Sequence, residues 1–324
     1  MNMPLKRYEL PDWLYYFRQK PKYPDRLPEG AYVAVVMHVP FEVWSEQPVT
    51  VRSPEAYVRH WQTSIPPLPS EAEGKYDTVS ILEHDYGGRV GVWRMLDLLD
   101  KYNIKGTFLM QGAAADRYPD AVREVFRRGH EVGSRYYYQD VVPPLFSEEE
   151  EREHIRETTR ALMRFGFDRQ RQGPVGFVGS TGRFTQYTEK ILVEEGYIWH
   201  SSYLNDDRPY CIKVPAKDGH KPLVAIPLNI INAVQDNNLY IGGRSNAPSE
   251  LFEFFRDEFG VLYEEGKNGK PAVINCICHP YIGGRPYVVK WWEEIIKYAL
   301  GFPRVWFTTR LEIAKWMLEN YPPE

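Results

Sequence analysis

The sequence predicts an α/β protein built as a single distorted barrel of about seven parallel strands. Three observations carry this reading. Short runs rich in β-branched and aromatic residues recur along the chain, helical patterns fall between them, and the runs end in polar residues or glycine. Alternating strands and helices give a mostly parallel sheet. About seven such units suffice to close, or nearly close, a (β/α) barrel whose active face lies at the C-terminal strand ends.

Residues 1–30 are rich in Pro, Lys and Tyr and end in Leu27-Pro28-Glu29-Gly30; they read as an arm lying on the domain that occupies 31–324. The expected strands are Tyr32–Met37, Gly106–Met110, His130–Ser134, Val175–Gly179, Leu223–Asn229, Ala272–His279 and Val305–Thr308. In 92–101, Val92, Leu96 and Leu99 share one helical face. Ser147 with Glu150, and Thr309 with Glu312, form capping boxes that open helices to about Phe165 and Asn320. Further helices are expected at 115–129, 184–196, 248–265 and 287–299. Segment 45–79, with Pro48, Pro54, Pro66, Pro67 and Pro69, reads as a loop insertion forming a lid or rim.

Composition excludes several classes. Hydrophobic residues make up 43% and charged residues 26%, ordinary for a globular chain. Forty Lys and Arg against 44 Asp and Glu give a net charge of −4, so no nucleic-acid partner is expected. Three cysteines without paired spacing make neither a disulfide framework nor a zinc site. No apolar run approaches the roughly 20 residues that span a bilayer, and the first residues lack the apolar core of a secretory signal. The expected setting is the cytoplasm. Tyr 23 and Trp 9 are an aromatic surplus, which suggests a homo-oligomer and a pocket for a small-molecule substrate.

The strand-end rule selects His38, Pro40 and Glu42; Arg135, Gln139 and Asp140; Ser180, Thr181 and Arg183; and His279, Pro280 and Arg285. His84, Asp85, Tyr86 and Arg89 precede the helix at 92–101. Several of these segments resemble the polysaccharide deacetylase superfamily, the domain with NodB homology. The run Tyr86-Gly87-Gly88-Arg89-Val90-Gly91-Val92-Trp93 resembles its opening-helix signature, and Gly129-His130-Glu131-Val132-Gly133-Ser134 its GHE-V-G segment. His279-Pro280, Gly284-Arg285-Pro286 and Val305-Trp306-Phe307 also fit. The resemblance spans about residues 30–320 and is nearest to the subgroup holding allantoinases, cyclic imide hydrolases and some peptidoglycan deacetylases. It implies a hydrolase of carbon–nitrogen bonds other than peptide bonds.

The departures are as informative. Family deacetylases bind a divalent metal through an Asp and an H-x-x-x-H pair just after the GHE-V-G segment. Here the pair reads Arg135 and Gln139, and the first strand end, His38 to Pro40, has no Asp. A guanidinium stays protonated and repels a dication. No catalytic metal and no other cofactor are expected. Arg135 then stands as a fixed cation that polarises a carbonyl. The resemblance implies a general-acid role for His279, and Asp85, His84 or His38 are candidates for the base. Tyr86, Arg89, Gln139, Arg183 and Arg285 are further candidates for substrate binding, with Arg89 or Arg285 gripping an anionic group. Each has a plainer alternative: Arg135 as a plug salt-bridged to Asp140 or Glu42, Asp85 and Arg89 as helix-entry residues, His130 as a core histidine. The expected activity is metal-independent ring opening of a small cyclic amide, imide or ureide. The alternatives are a sugar deacetylase with rewired ligands and a binding protein with a retired site.

Overall fold

The computed structural model describes residues 11–15, 19–48, 70–165, 168–228, 234–239 and 246–324. The core of the expected insertion, 49–69, and the arm residues 1–10 and 16–18 lie outside the described residues. Ten strands are described: β1 Val33–Phe41, β2 Thr107–Met110, β3 Glu131–Ser134, β4 Gly176–Phe177, β5 Trp199–Tyr203, β6 Tyr210–Ala216, β7 Gly219–Pro227, β8 Val234–Gln235, β9 Ala272–Ile277 and β10 Val305–Thr308. Their helices are α1 Thr78–Tyr86, α2 Val92–Lys101, α3 Gly112–Arg117, α4 Pro119–Arg127, α5 Glu148–Met163, α6 Arg169–Gln172, α7 Thr188–Glu194, α8 Glu250–Lys267, α9 Pro280–Gly283, α10 Pro286–Leu300 and α11 Arg310–Asn320.

The sheet order is β6-β7-β5-β4-β3-β2-β1-β9-β8, with β10 also on β1. All pairs are parallel except the β6–β7 hairpin. β1 organises it. β9 runs along one edge from Val33 to His38, while the other edge pairs first with β10 and then, from His38 on, with β2. Among the described residues, hydrogen bonds do not join β8 to β6, so the sheet is not closed there.

Period-2 alternation explains which residues reach the site. Val33, Val35, Met37, Val39 and Phe41 belong to the outer core under the helices. Ala34 and Val36 belong to the inner one, with Leu109, Val273, Ile277 and Trp199. His38 and Glu42 continue the inward series. On β9 the same step from Val273 passes through Asn275 and Ile277 to His279. Low in the barrel, fully buried Arg310 gives Nε to Ser201 Oγ (3.0 Å) and Nη2 to Asn275 Oδ1 (2.6 Å). A guanidinium there demands polar neighbours, which explains the polar interior of β5.

The Ser147 capping box closes on Glu150 in both directions, whereas at Thr309 only one half forms, the side chain accepting from the Glu312 amide. Several boundaries differ from expectation. β1 extends to Phe41, so His38 lies within the strand. The helix expected at 115–129 splits at Pro119 into α3 and α4. β5, β6 and β8 were not foreseen, nor was α1, which Asp77 caps by accepting from the Ser80 amide. From α1 the chain passes through a π-helical turn, Gly87–Gly91, into α2. A Cβ at Gly91 would overlap the Pro280 carbonyl oxygen, so glycine lets this turn press on α9. In the arm, the Gln19 side chain bonds both the backbone N–H and the carbonyl of Lys213 on β6 (2.8 Å each). Among the described residues no helix is long and apolar enough to cross a membrane.

Candidate active site

The C-terminal ends of β1, β3, β8 and β9 bring Glu42, Arg135, Asp236 and His279 together. The Glu42 and Arg135 side chains are 1% and 4% exposed and form an ion pair, Nη1 to Oε1, at 2.6 Å. Arg135 Nη2 donates to the Gly179 carbonyl at 3.2 Å. Gln139 Nε2 donates to the same Glu42 oxygen at 2.8 Å, and Gln139 Oε1 accepts from Gln111 Nε2 at 2.7 Å. Glu42 Oε2 and Arg135 Nε are buried without a hydrogen-bond partner. Buried polar atoms are nearly always paired, so both atoms retain capacity for a further hydrogen bond.

His279 stands across from this cluster. Its Nδ1 lies 2.6 Å from Asp236 Oδ1, and its backbone N–H donates to Asp236 Oδ2 at 2.7 Å. One carboxylate thus fixes both the ring and the main chain. Nε2 faces Glu42 Oε1 at 3.7 Å and Asn237 Nδ2 at 3.4 Å. Burial disfavours the charged ring, but Asp236 and Glu42 outweigh burial and hold His279 above its ordinary value. His38 goes the other way. Burial, then the charges of Arg310, Arg135 and His279, push it well below its ordinary value, and its buried Nδ1 has no partner.

The remaining candidates divide. His84 stacks on Trp44 (centroids 3.5 Å) and meets Tyr281 edge-on, and Tyr281 in turn meets His279 edge-on. Arg285 lies over the Tyr86 ring at 3.7 Å and gives Nε to the Tyr281 carbonyl, which occupies it with packing. Asp85 accepts from Tyr118 at 2.7 Å and pairs with Arg89 at 3.6 Å, so the two meet as helix-turn neighbours rather than at the dyad. Arg89 is 73% exposed. Arg183 is exposed and donates to Thr181, its neighbour in a turn where Thr181 (φ 55°) and Gly182 (φ 74°) are left-handed. Asp140 binds the Ser45 amide and hydroxyl at 2.9 and 2.7 Å. His130 is fully buried and accepts from the Gly106 amide, the expected core histidine. Asp236 and Gln111 had no part in the sequence reading. Asp236 follows a two-residue strand with no apolar run, and no local pattern points to it.

The divalent metal implied by the resemblance does not fit these residues. An arginine nitrogen 2.6 Å from Glu42 Oε1 takes the place of a cation, and Gln139 turns its amide nitrogen to the same oxygen. Among the described residues, no three His, Cys, Asp or Glu side chains gather as a metal site.

Residues 74–198 match the family described as polysaccharide deacetylase. The peptidoglycan deacetylase of Helicobacter pylori is 26% identical over 73% of this chain and 87% of its own. The solved Puue allantoinase shares 27% identity and a TM-score of 0.80, covering 98% of this chain and all of that one. The probable polysaccharide deacetylase of Pseudomonas aeruginosa PAO1 shares 28% identity and a TM-score of 0.78, over 96% and 99% of the two chains. The barrel and these likenesses agree: residues 74–198 match the polysaccharide deacetylase (NodB-type) domain, and the fold as a whole is similar to that of its solved neighbours.

Proposed function

We propose that this protein hydrolyses a non-peptide carbon–nitrogen bond, opening a small cyclic amide, imide or ureide without a divalent metal. The observation that carries the reading is the Asp236–His279 pair facing a buried Glu42 whose second oxygen has no partner. Glu42 Oε2 accepts a proton from the attacking water as its oxygen bonds to the carbonyl carbon. His279, whose protonated form Asp236 favours, gives the Nε2 proton to the ring nitrogen as the C–N bond breaks. The products are a carboxyl group and a freed nitrogen on one chain, and a proton passing from Glu42 to His279 resets the pair. Arg135 balances the Glu42 charge. Its terminal nitrogens each hold one protein acceptor, and its Nε has no protein partner and can meet a substrate oxygen. Ring and imide C–N bonds open more easily than those of acyclic amides, which suits a site with fixed organic groups. The likeness to Puue allantoinase supports this substrate class.

A buried Arg135–Glu42 pair is also what a retired site would display. The unpartnered Glu42 Oε2 and His38 Nδ1 beside an oriented histidine favour a working one. The test is a screen of hydantoins, allantoin, succinimides and lactams beside N-acetylglucosamine oligomers, each with and without chelator. Ring opening that survives chelator and is lost in Glu42→Gln and His279→Ala is expected. Activity abolished by chelator and restored by zinc would overturn the metal-free reading. Deacetylation alone would favour an acyclic substrate, and no turnover a binding role.

A further inference from the structure

We propose that Gln111 is a positioning residue in a directed amide relay ending on Glu42. Each glutamine amide has an accepting end and a donating end, and the two ends are nearly alike in shape. Two groups that cannot reverse fix the direction together: the Glu42 carboxylate, which only accepts, and the Val43 backbone N–H, which only donates and reaches Gln111 Oε1 at 3.3 Å. That leaves Gln111 Nε2 facing Gln139 Oε1 at 2.7 Å, and Gln139 Nε2 facing Glu42 Oε1 at 2.8 Å. Both glutamines are 0% exposed. The Gln139 backbone N–H also donates to the Val43 carbonyl at 2.9 Å, so the relay begins and ends on adjacent residues of one strand end.

The relay has a chemical consequence. A reversed Gln139 would set its carbonyl oxygen against Glu42 Oε1. The correct direction commits Oε1 to Arg135 and Gln139 and leaves Oε2 as the reactive oxygen. Gln139, one of the two positions where relatives carry a metal-binding histidine, thus serves here to orient a carboxylate. This rests on the reading of Glu42 as the base. A cross-link with a purely structural role would cost stability when Gln111 is replaced and leave kcat where it was.

The experiment follows the Gln139 side-chain amide by nitrogen-15 NMR without substrate, assigned by its loss in Gln139→Met. In the native protein its protons are expected downfield and protected from exchange. Gln111→Met strips Gln139 Oε1 of its donor and should reduce the downfield shift and speed exchange about tenfold, the loss of one neutral hydrogen bond, with cooperative melting retained. Should that variant not fold, Gln111→Asn, which keeps the amide but retracts it, is read in the same way. For a ring amide that the protein opens, Gln111→Met should lower kcat about tenfold at unchanged KM, and the Gln111→Met/Gln139→Met double variant should be no slower than Gln139→Met alone. A folded Gln111 variant with an unaltered Gln139 signal, or additive losses in kcat, overturns the relay. The spectra need no turnover, so failure of the relay and failure of the hydrolase reading are separable.

Discussion

Replacing Asp236 by asparagine removes the charge that His279 leans on while keeping the shape. The carboxylate accepts twice, from Nδ1 at 2.6 Å and from the His279 backbone at 2.7 Å. An asparagine can keep one of these contacts, and its NH2 then opposes the other N–H. A hydrogen bond to a charged group contributes about 1.5–3 kcal/mol, which corresponds to one to two pH units. His279 is held above its ordinary value against burial by Asp236 and Glu42. An acid works only while protonated, so the rate should fall as pH rises through the His279 midpoint. In Asp236→Asn that alkaline limb should move about one to two units toward acid. At pH 7 the rate should fall by up to roughly 10- to 100-fold, the loss of protonated imidazole that this shift allows. Stability should drop by about 1–3 kcal/mol for the stranded N–H. The assays are a pH–rate profile with a ring amide and the His279 carbon-13 titration. A variant with the native rate and an unmoved alkaline limb would refute the dyad.

Arg135→Met should cost about 3–5 kcal/mol in denaturant unfolding, because it leaves Glu42 buried and unpaired. Adding Glu42→Met should recover much of that loss, and a single variant as stable as the native protein would contradict the pairing. Burial pushes Glu189 up to about 8, so folding withholds a proton loss that the unfolded chain makes from about 4.5 upward. Stability should therefore fall as pH rises from 4.5 to 8; Glu189→Gln should gain about 2–4 kcal/mol at pH 8 and almost nothing at pH 4, read from melting curves. Gly91→Ala drives a methyl group into the Pro280 carbonyl. It should cost about 1–3 kcal/mol and displace His279; an alanine variant with native melting and turnover would show that the contact yields.

The barrel was legible because the chain alternates short buried runs with capped helices, and because the inward residues of β1, β3 and β9 end in His38, Arg135 and His279. The missed strands failed for physical reasons. β5 reads Trp-His-Ser-Ser-Tyr because its inner face serves the Arg310 guanidinium, and such a run lacks an apolar pattern. β8 is two residues long and carries no periodicity. Of the site, the residues that follow long apolar strands could be read, and Arg135 stood out because the resemblance implies a metal-ligand histidine at that position. Its pairing could not be read, since Glu42 and Arg135 are 93 positions apart. Asp236 and Gln111 acquire their meaning only from contacts made across the barrel mouth.

The two halves of the dyad are anchored very unequally. His279 follows β9, which is clamped between β1 and β8, whereas Asp236 hangs from β8, held to β9 by two register positions at the open rim of the sheet. Acidity at the reactive imidazole is therefore governed from the looser side. A change at β8 can shift Asp236 and retune the imidazole it holds while the rigid staves beneath stay as they are.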